Sequence, residues 1–229
     1  MNLENLKKLY EDGIKTSKYI LRRIIDGNMY WMELSAHVFQ DRITGNLYAL
    51  FYLKDVDAEK KREMAQTKAA QRDPLTNVYN RVTFEREVIA YMQEPDSRGM
   101  LLLLDIDDFK MINDRHGHLQ GDAALKKLTR VLQNTFRSHD LIGRLGGDEF
   151  LVFVKGDISG EVLNQRLKHI CSLLSEEPGE CLTCSVGIRQ VESGNFVYED
   201  MLNQADIALY QSKKKGKNQY SYYEKTEAF

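Results

Sequence analysis

Several things are scarce in this chain of 229 residues, and each scarcity narrows what the protein does. Cysteine occurs 3 times, an odd number that supplies no disulfide framework. Cys181 and Cys184 have CxxC spacing, yet they open an apparent strand, where positions three apart face opposite ways. With no second Cys or His pair nearby, both read as buried packing residues and not as a zinc or redox site. No stretch approaches the ~20 apolar residues that a membrane crossing needs, and the charged amino terminus lacks the apolar core of a signal peptide. A cytoplasmic placement with no membrane segment is expected for this piece. Excess charge is also missing. The formal net charge of −2 argues against a nucleic acid polymer as partner, because backbone phosphates demand a strong basic surplus. There is no internal repeat and no low-complexity tract. The length suffices for one good core and a smaller module.

What is present is concentrated in two acidic clusters. Leu101-Leu102-Leu103-Leu104 forms an apolar run that ends abruptly in Asp105-Ile106-Asp107-Asp108-Phe109-Lys110. Such a run reads as a strand covered on both faces, and sites in mixed sheets favour strand ends. The other cluster is Arg144-Leu145-Gly146-Gly147-Asp148-Glu149-Phe150. Its glycine pair permits a tight turn and close approach of a ligand, since neither residue has a Cβ. Adjacent acids would repel each other in a plain hairpin, which calls for a cation beside them. Taken alone, the heptapeptide reads nearly as well as a solvated turn. Taken together, the strand ends around Asp105 and Asp148 could converge on one hard cation. Mg²⁺ prefers oxygen ligands, with few protein carboxylates and substrate phosphates among them. The run Lys213-Lys214-Lys215 with Lys217 could face a mononucleotide, although a solvated helix end is the commoner use of such a run.

The organisation reads as a small β module over 1–58, a connecting helix over 59–72 and a larger domain over 73–229. Three strands, 18–25, 29–40 and 47–54, are rich in Tyr, Ile, Val and Phe, with turns at Asp26-Gly27-Asn28 and over 41–46. The stretch 57–72 has no Gly or Pro and is rich in Ala, Glu, Lys, Gln and Arg, which predicts a helix with only a sparse apolar stripe. Beyond it the pattern predicts helices over 80–94, 121–136, 161–174 and 198–214. Strands are expected over 100–105 and 181–191, and a hairpin 141–145/150–154 with the Gly-Gly turn at its bend. That order suits an α+β fold with an antiparallel-centred sheet of the ferredoxin-like kind.

Motifs in a fixed order carry a family resemblance. Asp73-Pro74-Leu75-Thr76-Asn77-Val78-Tyr79-Asn80-Arg81 comes first. Asp105-Ile106-Asp107-Asp108-Phe109-Lys110-Met111-Ile112-Asn113-Asp114 and Gly117-His118-Leu119-Gln120-Gly121-Asp122 follow. The Gly146-Gly147-Asp148-Glu149 loop and Ala205-Asp206-Ile207-Ala208-Leu209-Tyr210, with Lys213 and Gly216-Lys217-Asn218, complete the set. Over residues 73 to 224 the chain resembles the GGDEF-domain diguanylate cyclases, whose cyclase-palm fold agrees with the pattern above. Asn77 stands where the family often has Gly; Asn tolerates left-handed backbone, so the turn is expected to survive. The three amino-terminal strands, with Trp31, Gly45 and Asp55, resemble the carboxy-terminal half of a PAS sensor domain. A small antiparallel sheet serving only as spacer or dimer surface reads equally well.

The resemblance implies condensation of two GTP to cyclic di-GMP and two pyrophosphates, dependent on Mg²⁺ or on Mn²⁺ in its place. By position it implies Asp105, the Ile106 carbonyl, Asp148 and Glu149 as metal ligands, with Asp148 and Glu149 catalytic and Asp148 accepting the 3′-hydroxyl proton. Substrate would be held by the Gly146-Gly147 turn and by amides around Asp108, Phe109 and Lys110. Lys110, Lys213 and Lys217 would act as point charges, although Lys217 stands where the family often has Arg. Asn113 and Asp122 would read guanine, with His118 on the same loop; as plain structure, Asn113 could be a turn residue and Asp122 a helix cap. Arg137 and Asp140 match an RxxD product-inhibition site, an Arg being able to grip guanine O6 and N7; a surface ion pair is the plainer alternative. One GTP half-site per domain implies a homodimer. Rival readings are a non-catalytic cyclic di-GMP receptor, a cyclase accepting ATP and a structural dimerisation module. The intact acids disfavour the first and third, and Asp122 the second.

Overall fold

The computed structural model describes residues 8, 11–12, 16–175, 182–192 and 197–224, so Cys181 lies outside the described residues. The chain divides into two compact units, Met1–Lys68 and Ala69–Phe229.

In the first unit β1 (Thr16–Ile25), β2 (Asn28–Gln40) and β3 (Leu47–Asp55) form an antiparallel sheet in that order. Asp26 and Gly27 both have positive φ, 49° and 77°, the backbone that a two-residue hairpin loop needs to match strand twist. Burial is confined to β2 and its surroundings, where Met32, Ser35, Ala36, Val38 and Val56 are enclosed. Helix α1 (Asp57–Ala70) follows, with acids in its first turn and Lys68 in its last. These charges suit the helix dipole.

The second unit is built on a six-stranded sheet in the order β4-β6-β7-β5-β8-β9. Its strands are β4 (Tyr79–Asn80), β5 (Arg98–Ile106), β6 (Leu141–Gly146), β7 (Glu149–Lys155), β8 (Cys184–Glu192) and β9 (Tyr220–Tyr222). The four central strands pair antiparallel, and the short edge strands β4 and β9 pair parallel to their neighbours. Helices α2 (Arg81–Met92), α3 (Phe109–His116), α4 (His118–Thr135), α5 (Gly160–Ser175) and α6 (Tyr198–Lys214) complete it.

Strand β5 explains the layering. Leu102 and Leu104 point into a cluster with Leu125, Leu128 and Leu132 of α4 and Leu163, Leu167, Ile170 and Leu174 of α5. Leu101 and Leu103 point the other way, to Phe84 and Val88 of α2 and Met201, Ala205 and Leu209 of α6. The period of two thus supplies both cores from one strand. Gly187 on β8 lets α6 lie directly on the sheet, because a Cβ there would run into the backbone of Ala205 and Leu209.

The strands and long helices fall where the sequence pattern predicts them, and the fold is α+β as expected. Four elements differ. Helix α3 replaces what reads as a loop, β4 and β9 are too short to show a pattern, and α4 begins at His118, before the predicted residue 121. Gly117, with φ of 81°, separates α3 from α4. Asn77 does take left-handed backbone, φ 59°. Among the described residues no helix is long and apolar enough to cross a membrane.

Gly187→Ala is expected to destabilise the second unit by about 1–3 kcal/mol, the usual cost of overpacking where backbone cannot retreat. A thermal melt followed by circular dichroism checks this, and an unchanged midpoint would refute the tight contact.

Candidate active site

Strand β5 stays apolar until its last turn of pleat and then delivers Asp105. The antiparallel register places Asp105 directly opposite Glu149 at the start of β7, and the Ile106 amide donates to the Asp148 carbonyl at 3.4 Å. Asp105, Ile106, Asp148 and Glu149, expected as one site, are therefore brought together. Asp105 is only 8 % exposed. Burial pushes its carboxyl above the usual range, and Asp148 and Asp107 push the same way, against an ion pair from Lys213 Nζ at 2.8 Å. Burial also raises Glu149, followed by the charges of Asp105 and Asp148. The cluster holds more negative charge than its surroundings compensate.

The turn that presents Asp148 is clamped from outside. Arg144 donates through Nε and Nη2 to the Gly147 carbonyl at 3.0 and 2.6 Å. Its Nη1 reaches both oxygens of Asp73 at 3.1 and 3.2 Å. Asp73 also accepts from the Thr76 amide at 2.8 Å and from the Thr76 hydroxyl. Although burial acts to raise Asp73, the Thr76 and Arg144 contacts outweigh it and hold the carboxyl below its usual range. Gly147 adopts φ 52°, a conformation that disfavours other residues. The first and fourth motifs are thus one mechanical unit, a link that sequence reading missed although both partners lay in quoted motifs.

Asp107 was also missed as a separate role. It is buried, and its oxygens accept from Thr183 Oγ1 at 2.8 Å, Ser185 Oγ at 2.6 Å and the Asn218 amide at 3.0 Å. Saturated in this way, it anchors the loop rather than facing a ligand. Asp108 follows in left-handed backbone, φ 55°, directly before α3. Phe109 and Lys110 open that helix, where main-chain amides have no partner inside the helix. Lys217 Nζ bonds Asp108 Oδ1 at 2.7 Å. The lysines expected near phosphates, Lys213 and Lys217, thus stand on two of the loop's acids.

Asn113 lies on α3 with its side chain against Gly121 of α4, and Asp122 is half-buried in the second turn of α4. Neither is therefore a turn residue or a cap: Asn113 is helical, and α4 starts too early for Asp122 to cap it. His118 is the exposed first residue of α4. A cavity of about 350 Å³ on the flank of α3 and α4 touches Asp107 and Asp108 but none of Asp105, Asp148 and Glu149, so it is distinct from the acid cluster.

Arg137 and Asp140 are not brought to this site. They precede β6, whose other end carries the Gly-Gly turn, a strand length of roughly 17 Å away. The Asp140 carboxylate accepts from the Arg137 amide at 2.9 Å and the Lys155 amide at 3.1 Å, and its side chain has no exposed surface. Both residues line a cleft of about 200 Å³ with Arg72, Tyr79 and Gln133.

Among the described residues no group of three or more His, Cys, Asp and Glu side chains converges to hold a metal by side chains alone. Two carboxylates with a main-chain carbonyl is instead the sparse oxygen set that Mg²⁺ accepts when water and phosphate complete it. The surplus negative charge around Asp105 and Glu149 fits a cation there.

An antiparallel-centred sheet with acids at adjoining strand ends defines an α+β domain able to hold a cation and a phosphorylated ligand at one edge of its sheet. Comparison with known proteins makes the class specific. Residues 70–219 match "Diguanylate cyclase, GGDEF domain". The chain is 38% identical over 196 residues to the probable diguanylate cyclase DgcC of Escherichia coli K12, covering 82% of this chain and 52% of that protein. It is 34% identical over 193 residues to the diguanylate cyclase DgcP of Pseudomonas aeruginosa, covering 78% of this chain and 28% of DgcP. Among solved structures, the coiled coil and GGDEF domain of Caulobacter crescentus DgcB in complex with c-di-GMP is similar with a TM-score of 0.65 and 26% identity. That match covers 73% of this chain and 94% of DgcB's. The chain belongs to the GGDEF diguanylate cyclase family, and it spans about half the length of DgcC.

Raised acid pKa values carry a sign. The folded state of Glu149 holds its proton to higher pH than the unfolded chain, so its contribution to stability falls as pH rises from the unfolded value towards the folded one. At neutral pH it opposes folding. Glu149→Gln is expected to raise the metal-free melting midpoint at pH 7. The gain should vanish below the ordinary glutamate pKa of 4.5. Melts across pH check it, and a gain that persists in acid would refute the electrostatic account.

Proposed function

We propose that the chain condenses two GTP to cyclic di-GMP with release of two pyrophosphates. The observation that carries this reading is the register that sets Asp105 opposite Glu149, with Asp148 bonded to Ile106, in a chain of the GGDEF family. Each 3′-oxygen bonds to the α-phosphorus of the other nucleotide as the bond to pyrophosphate breaks. Such transfer needs positioning and charge neutralisation more than covalent chemistry.

In this reading Asp105, the Ile106 carbonyl and Asp148 would hold Mg²⁺, or Mn²⁺ in its place, with Glu149 beside them as a further ligand or acid-base helper. The ion supplies charge neutralisation for the attacking and leaving oxygens. Asp148 accepts the 3′-hydroxyl proton. Amides of Phe109 and Lys110, with the Gly146-Gly147 turn, receive phosphates. Lys213 and Lys217 sit close enough to the acids to turn to phosphate when a cation takes their place. Asn113 and Asp122, on neighbouring helices, read guanine N1 and N2 hydrogens, which adenine does not offer, and His118 borders them.

Each chain holds one GTP, so the active species is a homodimer with two sites face to face. The first unit, a PAS-like sheet with its connecting helix, is the element through which such pairing is controlled. Arg137, exposed beside the 200 Å³ cleft, offers a bidentate grip for a guanine of the product. Asp140, turned inward, fixes the backbone that presents it.

Incubation with GTP and Mg²⁺ should yield cyclic di-GMP by chromatography and mass spectrometry, and Asp148→Ala should lower the rate on the order of a hundredfold or more. A correctly folded dimer that makes none would refute the reading. Added cyclic di-GMP should slow the enzyme, and Arg137→Ala should relieve that slowing while leaving the uninhibited rate near its original value. Equal inhibition of both proteins would remove Arg137 from the product site.

A further inference from the structure

The end of α6 and the segment after it close on the acidic loop. Lys213 pairs with Asp105, the Asn218 amide donates to Asp107, and Lys217 Nζ donates to Asp108 Oδ1 at 2.7 Å. Among the described residues six other than glycine have positive φ, and three of them, Asp108 at 55°, Lys217 at 62° and Asn218 at 48°, gather here. Left-handed backbone suits Asp and Asn far better than Lys. An exposed ion pair adds little to stability, so folding alone does not account for holding Lys217 in such backbone to reach a half-exposed acid. The Asp108 side chain makes no capping bond to α3, and it stands directly before the Phe109 and Lys110 amides, which have no partner inside the helix. An anion is thus built into the chain where the cyclase reading seats phosphates.

We propose that Asp108 is a specificity-determining residue of the phosphate subsite, an internal anion that selects a triphosphate masked by a divalent cation over the bare polyanion. Two effects act in the same direction. The carboxylate repels incoming phosphate oxygens, and it occupies Lys217, the cation those oxygens would use. A triphosphate carrying Mg²⁺ has less net charge and meets less of this repulsion, whereas a bare triphosphate or pyrophosphate meets it in full. Selectivity here comes from a repulsive element set against the wrong form of the ligand.

The neighbouring acids do not share this role. Asp107 is buried and saturated by Thr183, Ser185 and the Asn218 amide, and Asp105 lies back in the strand opposite Glu149. Both keep their charge when Asp108 alone is neutralised, so any change in preference reports on Asp108. That the triphosphate belongs to GTP rests on the cyclase reading, whereas the preference of the subsite is measured without turnover.

Sodium tripolyphosphate is titrated by calorimetry into the full chain, once with EDTA and once with Mg²⁺, and the ratio of the two dissociation constants measures the preference. Asp108→Asn, which keeps a residue tolerant of left-handed backbone, should tighten metal-free binding several-fold and the Mg²⁺ form less, so that the ratio shrinks. Asp108→Gly, which also suits a positive φ, should do the same, and melting curves establish that both variants are folded. Lys217→Met should weaken both forms, and Asp108→Asn added to it should gain less than it does alone. An unchanged ratio in the two neutral variants would overturn the proposal, as would a lack of tripolyphosphate binding with Mg²⁺ present. A full gain without Lys217 would overturn the competition for that lysine. With GTP at limiting Mg²⁺, Asp108→Asn should lower KM several-fold. A chain that makes no cyclic di-GMP yet shows the shifted ratio keeps the proposal and loses the cyclase reading, and one that makes it with an unshifted ratio loses the proposal alone.

Discussion

Asp105 is a carboxylate almost enclosed by protein at the end of a strand that is apolar on both faces, and much of the second unit follows from that constraint. Burying a charge is costly unless something answers it. Here the Lys213 ammonium answers in part, while Asp148 and Glu149 add further charge of the same sign. The surrounding fold fixes these groups instead of letting them part: β7 by register, Arg144 by gripping the turn, and Asp107 by tying the loop to β8 and to the segment after α6. Rigidity is what keeps mutually repelling acids together, and a cluster kept in that state favours a divalent cation.

The sequence made much of this legible for a simple reason. Four consecutive leucines followed by acids can hardly be anything but a buried strand with a charged end, and a Gly-Gly turn with two acids supplies the complementary half. What stayed hidden was pairing between distant segments. Nothing local to Asp73 announces that it holds Arg144, or that Arg144 in turn holds the Gly147 carbonyl. Helix α3 escaped because it spans only eight residues, and its boundary with α4 is a single glycine in positive φ.

Other differences came from reading type without environment. The family resemblance implied Asp140 as a ligand group, and the structure turns its carboxylate towards two main-chain amides. The same resemblance implied Lys213 and Lys217 as phosphate contacts, and in the structure they pair with Asp105 and Asp108. In both cases the charge of the residue was legible, while the direction of its side chain depended on backbone that only the folded chain brings close.

The hairpin between β6 and β7 carries one more consequence. Pairing runs from Arg144–Phe150 to Gly146–Glu149, leaving Leu145 as an extra residue on one strand. Because side chains alternate between faces, a one-residue change of register moves every later residue to the opposite face. Inserting or deleting a single residue in this turn would either iron out the bulge or exchange the two buried faces of β7, taking Phe150 and Val152 out of one cluster and Leu151 and Phe153 out of the other. The length of the turn is therefore held by the core beneath it, independently of the acids the turn carries.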